Sequence, residues 1–288
     1  MTVVVVTDSA ARIPRELRQR WGIRQVPLHI LIDGADLRDD VDELPEDLLQ
    51  RRELTTAAAS PEELRASYRE ALAASGGDGV VAVHVSAGLS GMFAAAEVAA
   101  ADTDPRIRVV DSRSTAMGTG FVALAAARAA GAGGDVDAVR DAAVAAVDRV
   151  HTYVVVQRLD SLRRSGRISG AGAWLGTALA LKPLLHIDEG KLVLAQRVRT
   201  SGRAVTAMVD KIVATVGQHP ATVAVHHVAN PDGAAEVAER LTQQLALCDA
   251  PIVAELAPVL ALHVGAGALG VCVDVGRTGP HDGAEATA

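Results

Sequence analysis

The side chains with the clearest potential for chemistry lie beside predicted turns. Ser90 follows a strand-like segment at 80–85 and precedes a predicted helix over 92–101. Free backbone N–H groups at such a helix start, together with the Ser90 hydroxyl, suit an anion, and Gly91 allows the anion to approach the backbone closely. A simpler interpretation is that Ser90 only caps the helix. Spacing alone leaves both interpretations open.

Three further side chains could contact a ligand. Thr56 precedes a helix start at Ser60, although threonine is also common in turns from strand to helix. Arg167 lies between glycines in RRSGRISG, where a guanidinium suits a carboxylate or phosphate, and a solvated arginine is the alternative. His263 lies in LHVGAGALG and could hydrogen-bond a buried group or titrate near neutrality, and a satisfied structural histidine is the alternative.

Enzymatic chemistry is the competing hypothesis. Asp8, Asp111 and His263 could serve an enzyme that acts on a phosphorylated or acyl small molecule at the edge of a sheet. Their order fits no known catalytic triad, and Asx-type turns explain both aspartates more simply. The chain has no GxSxG motif, no P-loop and no metal-ligand spacing among its two cysteines and nine histidines. We therefore predict neither a cofactor nor a metal site.

The elements that must position these residues alternate as βαβα through the first half of the chain. Strands are predicted at 3–6, 25–32, 80–85 and 106–110, and Ser60-Pro61-Glu62-Glu63 is a capping box that begins a helix. This alternation predicts a parallel sheet covered by helices. The turns after the first, third and fourth strands should then lie at one edge, where ligands bind in such sheets.

The second half predicts a mixed α/β domain. Strands at 184–187 and 192–198 flank a hairpin turn at Glu189-Gly190, and a helix is predicted over 201–216. A second helix is predicted over 172–181. With 288 residues the chain is long enough for two domains, predicted as 1–150 and 151–288, with 279–288 disordered.

Charge and hydropathy exclude several classes of protein. A net charge of −7 and 2% aromatic residues argue against nucleic-acid binding. Residues 158–203 carry nine basic and three acidic side chains, a local charge of +6 that suits an acidic partner or a solvated face. The N-terminus has no basic region typical of a signal peptide, and the longest apolar stretch, 171–181, is too short to span a bilayer. These features predict a cytoplasmic protein without stable membrane insertion.

The ordered motifs resemble the DegV family over nearly the whole chain. Thr7-Asp8-Ser9 resembles the family's opening TDS, and 86–96 resembles its SSxLSGTYxSA motif. The resemblance extends to the VPL, DS, LxxLxxGGRI, KP, VRT and HxGPG-like motifs, at 26–28, 111–112, 159–168, 182–183, 198–200 and 263–265. Each piece is common, but the order of the whole set is specific.

This resemblance implies a two-domain α/β protein that binds a long-chain fatty acid in a tunnel between the domains and has no catalytic activity. Such carriers present the carboxylate to a fatty acid kinase, which forms an acyl phosphate for phospholipid synthesis. By position, Thr56 and Ser90 would hold the carboxylate, with Gly91 beside them and Arg167 and His263 in support. Ala57 and Met92 stand where the family usually has serine and threonine. This head-group site would therefore have fewer hydroxyls.

Overall fold

The computed structural model describes residues 2–51, 54–168 and 182–276. The chain separates into two compact units. The first unit comprises Met1–Asp148, Glu189–Lys191 and Ala257–His263, and the second comprises Arg149–Asp188, Leu192–Leu256 and Val264–Ala288. Two short segments from the second half of the chain therefore cluster with the first unit. The domain boundary at residue 150 stays a prediction.

The described strands and helices have the following bounds. The strands are β1 Val4–Asp8, β2 Arg24–Val26, β3 His29–Ile32, β4 Ala35–Arg38, β5 Leu54–Ala57, β6 Val80–His84, β7 Ile107–Asp111, β8 Val150–Val155, β9 Lys182–Asp188, β10 Lys191–Val198, β11 Ala221–His227, β12 Ile252–Glu255 and β13 Leu269–Val275. The helices are α1 Arg15–Arg20, α2 Pro61–Ala74, α3 Met92–Ala101, α4 Met117–Gly131, α5 Val136–Val147, α6 Asp160–Arg164, α7 Ser201–Val216, α8 Pro231–Gln244 and α9 Pro258–Val264.

The first unit contains the predicted parallel sheet, in the order β2-β1-β6-β7. Its strands pair in parallel throughout, and every residue of β6 is buried. Continuous burial explains why the valine-rich strands show no alternation of polar and apolar residues. Because the strands are parallel, the turns that follow β1, β6 and β7 meet at one edge, as the sequence predicts.

A second, antiparallel sheet of the first unit was not anticipated. It has the order β4-β3-β5, and it corrects two predictions. The segment predicted as one strand over 25–32 forms two strands, β2 and β3, in different sheets. Pro27 lies between them and ends the strand hydrogen bonding because it has no N–H group. The acidic stretch 33–47, predicted as a loop, contains β4, which pairs with β3 through a tight turn at Asp33-Gly34.

Local sequence signals fix the helices that flank these sheets. At the start of α2 the Ser60 hydroxyl accepts from the Glu63 N–H, and the Glu63 carboxylate accepts from the Ser60 N–H. This confirms the predicted capping box. Helices α3 and α7 begin and end at the predicted residues. Helix α8 was not predicted, although Asn230 caps it and Pro231 begins it.

The second unit contains a mixed sheet in the order β10-β9-β8-β13-β11-β12. The predicted hairpin between β9 and β10 is confirmed. Glu189 and Gly190 both have positive φ, 44° and 74°, as a two-residue hairpin turn of type I′ requires. The helix predicted over 172–181 and the predicted disordered end lie outside the described residues.

Each unit has its own aliphatic core. In the first, buried residues from β1, β3, α2, β6 and α3 pack together with Ala257 and Val259. In the second, α7 and α8 cover the strands β8, β11 and β13. Most of the buried residues in these cores are alanine, valine or leucine, in keeping with the 2% aromatic content. The predicted two-part α/β fold class is confirmed.

Candidate functional site

Thr56 and His263 meet in the first unit although 207 residues separate them in sequence. The Thr56 Oγ1 lies 3.0 Å from the His263 Nε2, and both side chains are half-buried. Strand β5 carries Thr56 opposite the fully buried Ile30 of β3, while helix α9 carries His263 in its last turn. His263 was predicted beside a glycine-rich turn, and the structure places it at the end of a helix that precedes this turn.

The hydrogen-bonding roles in this pair depend on the histidine tautomer. If Nε2 carries the hydrogen, the ring donates to the threonine oxygen, and the hydroxyl hydrogen is left to donate to another acceptor. A protonated ring also donates from Nε2 and adds a positive charge beside the hydroxyl. In these two states the pair offers a hydroxyl donor, which suits an anionic oxygen of a ligand. In the other neutral tautomer the Thr56 hydroxyl donates to Nε2 instead.

Ser90 and Gly91 form the turn between β6 and α3. Gly91 is the residue that caps α3, and it supplies no side-chain acceptor to the first turn of the helix. Ser90 instead accepts a hydrogen bond from the Met92 N–H at 3.2 Å, and its side chain is half-buried. The hydroxyl hydrogen has no acceptor among the residues that the structure describes. Ser90 is thus both a partial cap and an available donor, which combines the two interpretations from the sequence.

The two positions that depart from the family pattern have different surroundings. Met92 is completely buried and packs in the apolar core of the first unit, so this position supplies packing. Ala57 is half-buried at the end of β5, next to Thr56. Neither side chain offers a hydroxyl, so Thr56 and Ser90 are the hydroxyl donors of the predicted set.

Two glycines beside Ser90, Gly88 and Gly190, meet in the structure without any motif in the sequence that predicts their contact. The Ser86 hydroxyl donates to the Gly190 carbonyl at 2.7 Å and accepts from the Gly88 N–H at 3.1 Å. A Cβ atom on Gly88 would lie 2.5 Å from the Gly190 oxygen, and a Cβ on Gly190 would lie 2.5 Å from the Ser86 Oγ. The tip of the β9–β10 hairpin can therefore seat against the Ser86–Ser90 turn only because both residues are glycine.

A buried polar chain supports the same edge of the sheet. The Asp8 carboxylate accepts from the Val85 N–H at 2.9 Å and the Ala10 N–H at 3.1 Å, and it contacts the His84 Nδ1 at 3.0 Å. The His84 Nε2 lies 2.9 Å from the Tyr68 hydroxyl. Asp8, His84 and Tyr68 are fully buried. Burial raises the pKa of Tyr68, and the negative charge of Asp8 raises it further.

The two aspartates considered for enzymatic chemistry accept hydrogen bonds from backbone N–H groups. Asp8 forms the predicted Asx-type turn with Ala10 and is enclosed in the buried chain. Asp111 accepts from the Arg113 N–H at 2.8 Å and the Ala87 N–H at 3.3 Å. His263 is paired with Thr56 instead. The structure therefore does not bring these three candidates together as a triad.

Arg167 belongs to the second unit. It follows α6 and Gly166, whose φ of 69° ends the helix in the left-handed region. Its guanidinium donates to the carbonyl of Ser165, and its side chain is half-buried. The predicted supporting role of Arg167 and the predicted ligand tunnel stay predictions.

The described residues contain neither a membrane-spanning helix nor a cluster of metal ligands. No helix in this part of the chain combines the length and apolar character needed to cross a bilayer. No group of three or more His, Cys, Asp or Glu side chains in residues 2–51, 54–168 and 182–276 could hold a metal ion.

Comparison with known proteins agrees with the motif order. Residues 2–275 match the family model described as "Uncharacterised protein, DegV family COG1307". The chain belongs to the DegV family. A DegV domain-containing protein of Mycobacterium tuberculosis (strain ATCC 25618 / H37Rv) is 62% identical over 280 residues, which cover 97% of this chain and 100% of the relative.

Solved DegV structures share the fold. The chain is similar to a fatty-acid-binding DegV family protein from Thermus thermophilus, with a TM-score of 0.89 and 32% identity over 96% of this chain and 100% of that one. It is also similar to the fatty acid binding protein DegV from Bacillus subtilis, with a TM-score of 0.81 and 30% identity over 95% and 99% of the two chains. Both of these DegV relatives bind fatty acids.

Proposed function

We propose that this DegV protein binds a long-chain fatty acid and holds its carboxylate with the hydroxyls of Thr56 and Ser90. The observation that carries the proposal is the 3.0 Å contact between Thr56 and His263, which joins two half-buried polar side chains from distant parts of the sequence. Fatty acid binding by the relatives from T. thermophilus and B. subtilis supports it.

The energetics of such binding divide between the chain and the head group. Burying about 14 methylenes at ~0.8 kcal/mol each contributes roughly 11 kcal/mol before the cost of association. An ionised carboxylate buried without partners would cancel much of this gain. The hydrocarbon chain therefore supplies affinity, while the Thr56 and Ser90 hydroxyls make burial of the head group tolerable and fix its direction.

Mass spectrometry of the purified protein tests the first part of the proposal. The protein should release about one equivalent of fatty acid on denaturation, and native spectra should show the same added mass. Protein that is folded, empty after gentle purification and unable to take up added fatty acid would contradict the proposal. The released lipid would also give the chain length and degree of unsaturation.

A serine substitution tests the head-group assignment. Ser90→Ala should lower fatty acid retention about tenfold, since a hydrogen bond to a charged acceptor contributes about 1.5–3 kcal/mol. The matched control is Ser67→Ala, because Ser67 is also half-buried but lies on α2. This variant should retain the lipid. Equal retention by both variants would remove Ser90 from the site.

We further propose that the protein acts in the cytoplasm as a carrier without catalytic activity. It would present the carboxylate to a fatty acid kinase, and the kinase would transfer the γ-phosphoryl group of ATP to a carboxylate oxygen. The products would be ADP and an acyl phosphate for phospholipid synthesis. Arg167 and His263 are proposed to support the carboxylate during presentation.

Reconstitution separates the carrier role from binding itself. Loaded protein should stimulate ADP formation by a fatty acid kinase, and acyl phosphate should be trapped as the hydroxamate. Empty protein should give neither product. Loaded protein that binds lipid but supports no phosphoryl transfer with kinases from related bacteria would contradict the carrier role and leave fatty acid binding intact.

A further inference from the structure

Basic side chains are concentrated on and around helix α1, far in sequence from the predicted site residues. Residues 12–24 contain five arginines and one acidic residue, Glu16, so this segment has a charge of +4 in a chain of net charge −7. The helix has only six residues and leads through Gly22 into β2, the edge strand of the parallel sheet. Arginines from both elements therefore lie on one outer face of the first unit.

Three of these arginines line a shallow cavity that is open to solvent. Arg15, Arg18 and Gln19 line it from α1, and Gly22, Ile23 and Arg24 line it from the turn and β2. Its volume is about 360 Å³, which lies at the small end of the range for ligand sites. The lining contains three guanidinium groups and no carboxylate, while Gln19 adds a neutral amide.

The neighbouring carboxylates balance this charge poorly. Arg15 is exposed and forms neither an ion pair nor a hydrogen bond within the described residues. The Arg24 guanidinium lies 3.5 Å from the exposed Glu70 carboxylate. Arg18 lies 3.3 Å from Asp40, but Asp40 is shared with Arg12 at 3.7 Å. Positive charge in the cavity therefore exceeds the negative charge beside it.

Arg18 is the most strongly affected of the three. Burial lowers its pKa, and the positive charges of Arg12 and Arg15 lower it further, although Asp40 acts in the opposite direction. The Arg18 Nε is shielded from solvent and has no acceptor among the residues described. A bound anion would offset the repulsion between these guanidinium groups.

We propose that this cavity binds a small anion that carries a phosphate group. Guanidinium groups form paired hydrogen bonds with phosphate oxygens, and three of them beside one shallow cavity fit a tetrahedral, multiply charged group. None of the lining residues is among those assigned to fatty acid binding, so this proposal does not rest on that function.

Calorimetric titration of the purified full-length protein at constant ionic strength tests the proposal. Inorganic phosphate, pyrophosphate and ADP are the probes, and chloride is the reference anion. At least one probe should saturate a single site per chain. Arg15→Gln should raise its dissociation constant about tenfold, as expected for loss of a charge-assisted hydrogen bond, and should leave the unfolding temperature unchanged.

The matched control is Arg69→Gln, an exposed arginine on α2 with only a long ion pair of 3.7 Å to Glu62. It should bind the probes like the parent. Equal weakening by both substitutions, or a response to phosphate that never saturates, would overturn the proposal. Binding of a poly-glutamate peptide without binding of any phosphate probe would overturn it as well, in favour of an acidic partner. The three phosphate probes distinguish a free phosphate site from a nucleotide site.

Discussion

Two histidine–hydroxyl pairs lie in the first unit, and their surroundings differ. His84 lies 2.9 Å from the Tyr68 hydroxyl, with both side chains fully buried and Asp8 bound to the other ring nitrogen. His263 lies 3.0 Å from the Thr56 hydroxyl, with both side chains half-buried. Similar distances therefore occur in a closed environment and in an open one.

The difference separates structural from functional polar groups. A saturated, buried chain stabilises the fold but has no capacity left for a ligand, and removing one member leaves the others unpaired. A half-buried pair has lower structural value and can still exchange partners. The hydrogen-bond distance is uninformative here, and burial together with remaining donor capacity assigns the roles.

Loss of Asp8 should have the largest effect on stability. Asp8→Ala removes the acceptor of two backbone N–H groups and His84, so the free energy of unfolding should fall by about 3–5 kcal/mol. Urea denaturation measures this change. Asp78→Ala, at an exposed position, is the control and should change stability by less than about 0.5 kcal/mol. A similar small effect at Asp8 would break the comparison.

Loss of the Thr56 hydroxyl should affect ligand binding more than stability. Thr56→Val keeps the shape of the side chain on β5, so the fold should persist, while fatty acid retention should fall by about 1.5–3 kcal/mol in binding free energy. The neighbouring Thr55 is exposed and pairs with Leu31 on the opposite face, so Thr55→Val is the control. Competition with a fluorescent fatty acid measures both variants. Equal losses would contradict a specific role for Thr56.

The Tyr68 hydroxyl provides a smaller structural test. Tyr68→Phe leaves the His84 ring without one partner in a fully buried site, which should lower the free energy of unfolding by about 1–2 kcal/mol. Tyr153→Phe is the comparison, because the Tyr153 hydroxyl lies 3.1 Å from the hydroxyl of the half-buried Thr215. This variant should lower the free energy of unfolding by less. Fatty acid retention should stay unchanged in both variants. The reverse order of stabilities would contradict the assignment by burial.

The smallest effect should come from His151 on β8. Burial lowers its pKa in the folded state, while Asp274 partly opposes the shift. The unfolded chain therefore takes up the proton first as pH falls below about 6.5, and this histidine contributes a loss of stability on acidification. The stability difference between parent and His151→Gln should change between pH 8 and pH 5, with the parent losing more. A constant difference across that range would contradict the prediction.

Local signals in the sequence were sufficient for much of the fold. The capping box at Ser60 and the apolar pattern of 201–216 act within one or two helical turns, so the bounds of these helices follow from neighbouring residues. The β3–β5 pairing was missed because it joins segments about 25 residues apart and depends on the break at Pro27. Such pairings depend on long-range packing that no local pattern specifies.

The candidate site shows the same limit more strongly. Spacing alone left Thr56, Ser90 and His263 open to structural interpretations, and only the order of the motifs grouped them. The contact between residues 56 and 263 follows from the fold of the whole unit. No motif in the sequence indicates the contact between Gly190 and Ser86, which lie 104 residues apart. No motif indicates the arginine cavity at α1 either, although the high density of arginines in residues 12–24 is visible in the sequence.

The contact between the hairpin tip and the Ser86–Ser90 turn also limits which substitutions this chain can accept during evolution. Because a Cβ atom on Gly88 would clash with the Gly190 carbonyl and a Cβ atom on Gly190 would clash with the Ser86 hydroxyl, a side chain at either position is tolerable only if the hairpin tip moves away. Neither glycine can be replaced alone while the hydrogen bond from Ser86 to the Gly190 carbonyl is kept. A lineage that lengthened or redirected the hairpin would leave room for a side chain at residue 88, and the turn that carries Ser90 would lose its contact with Gly190.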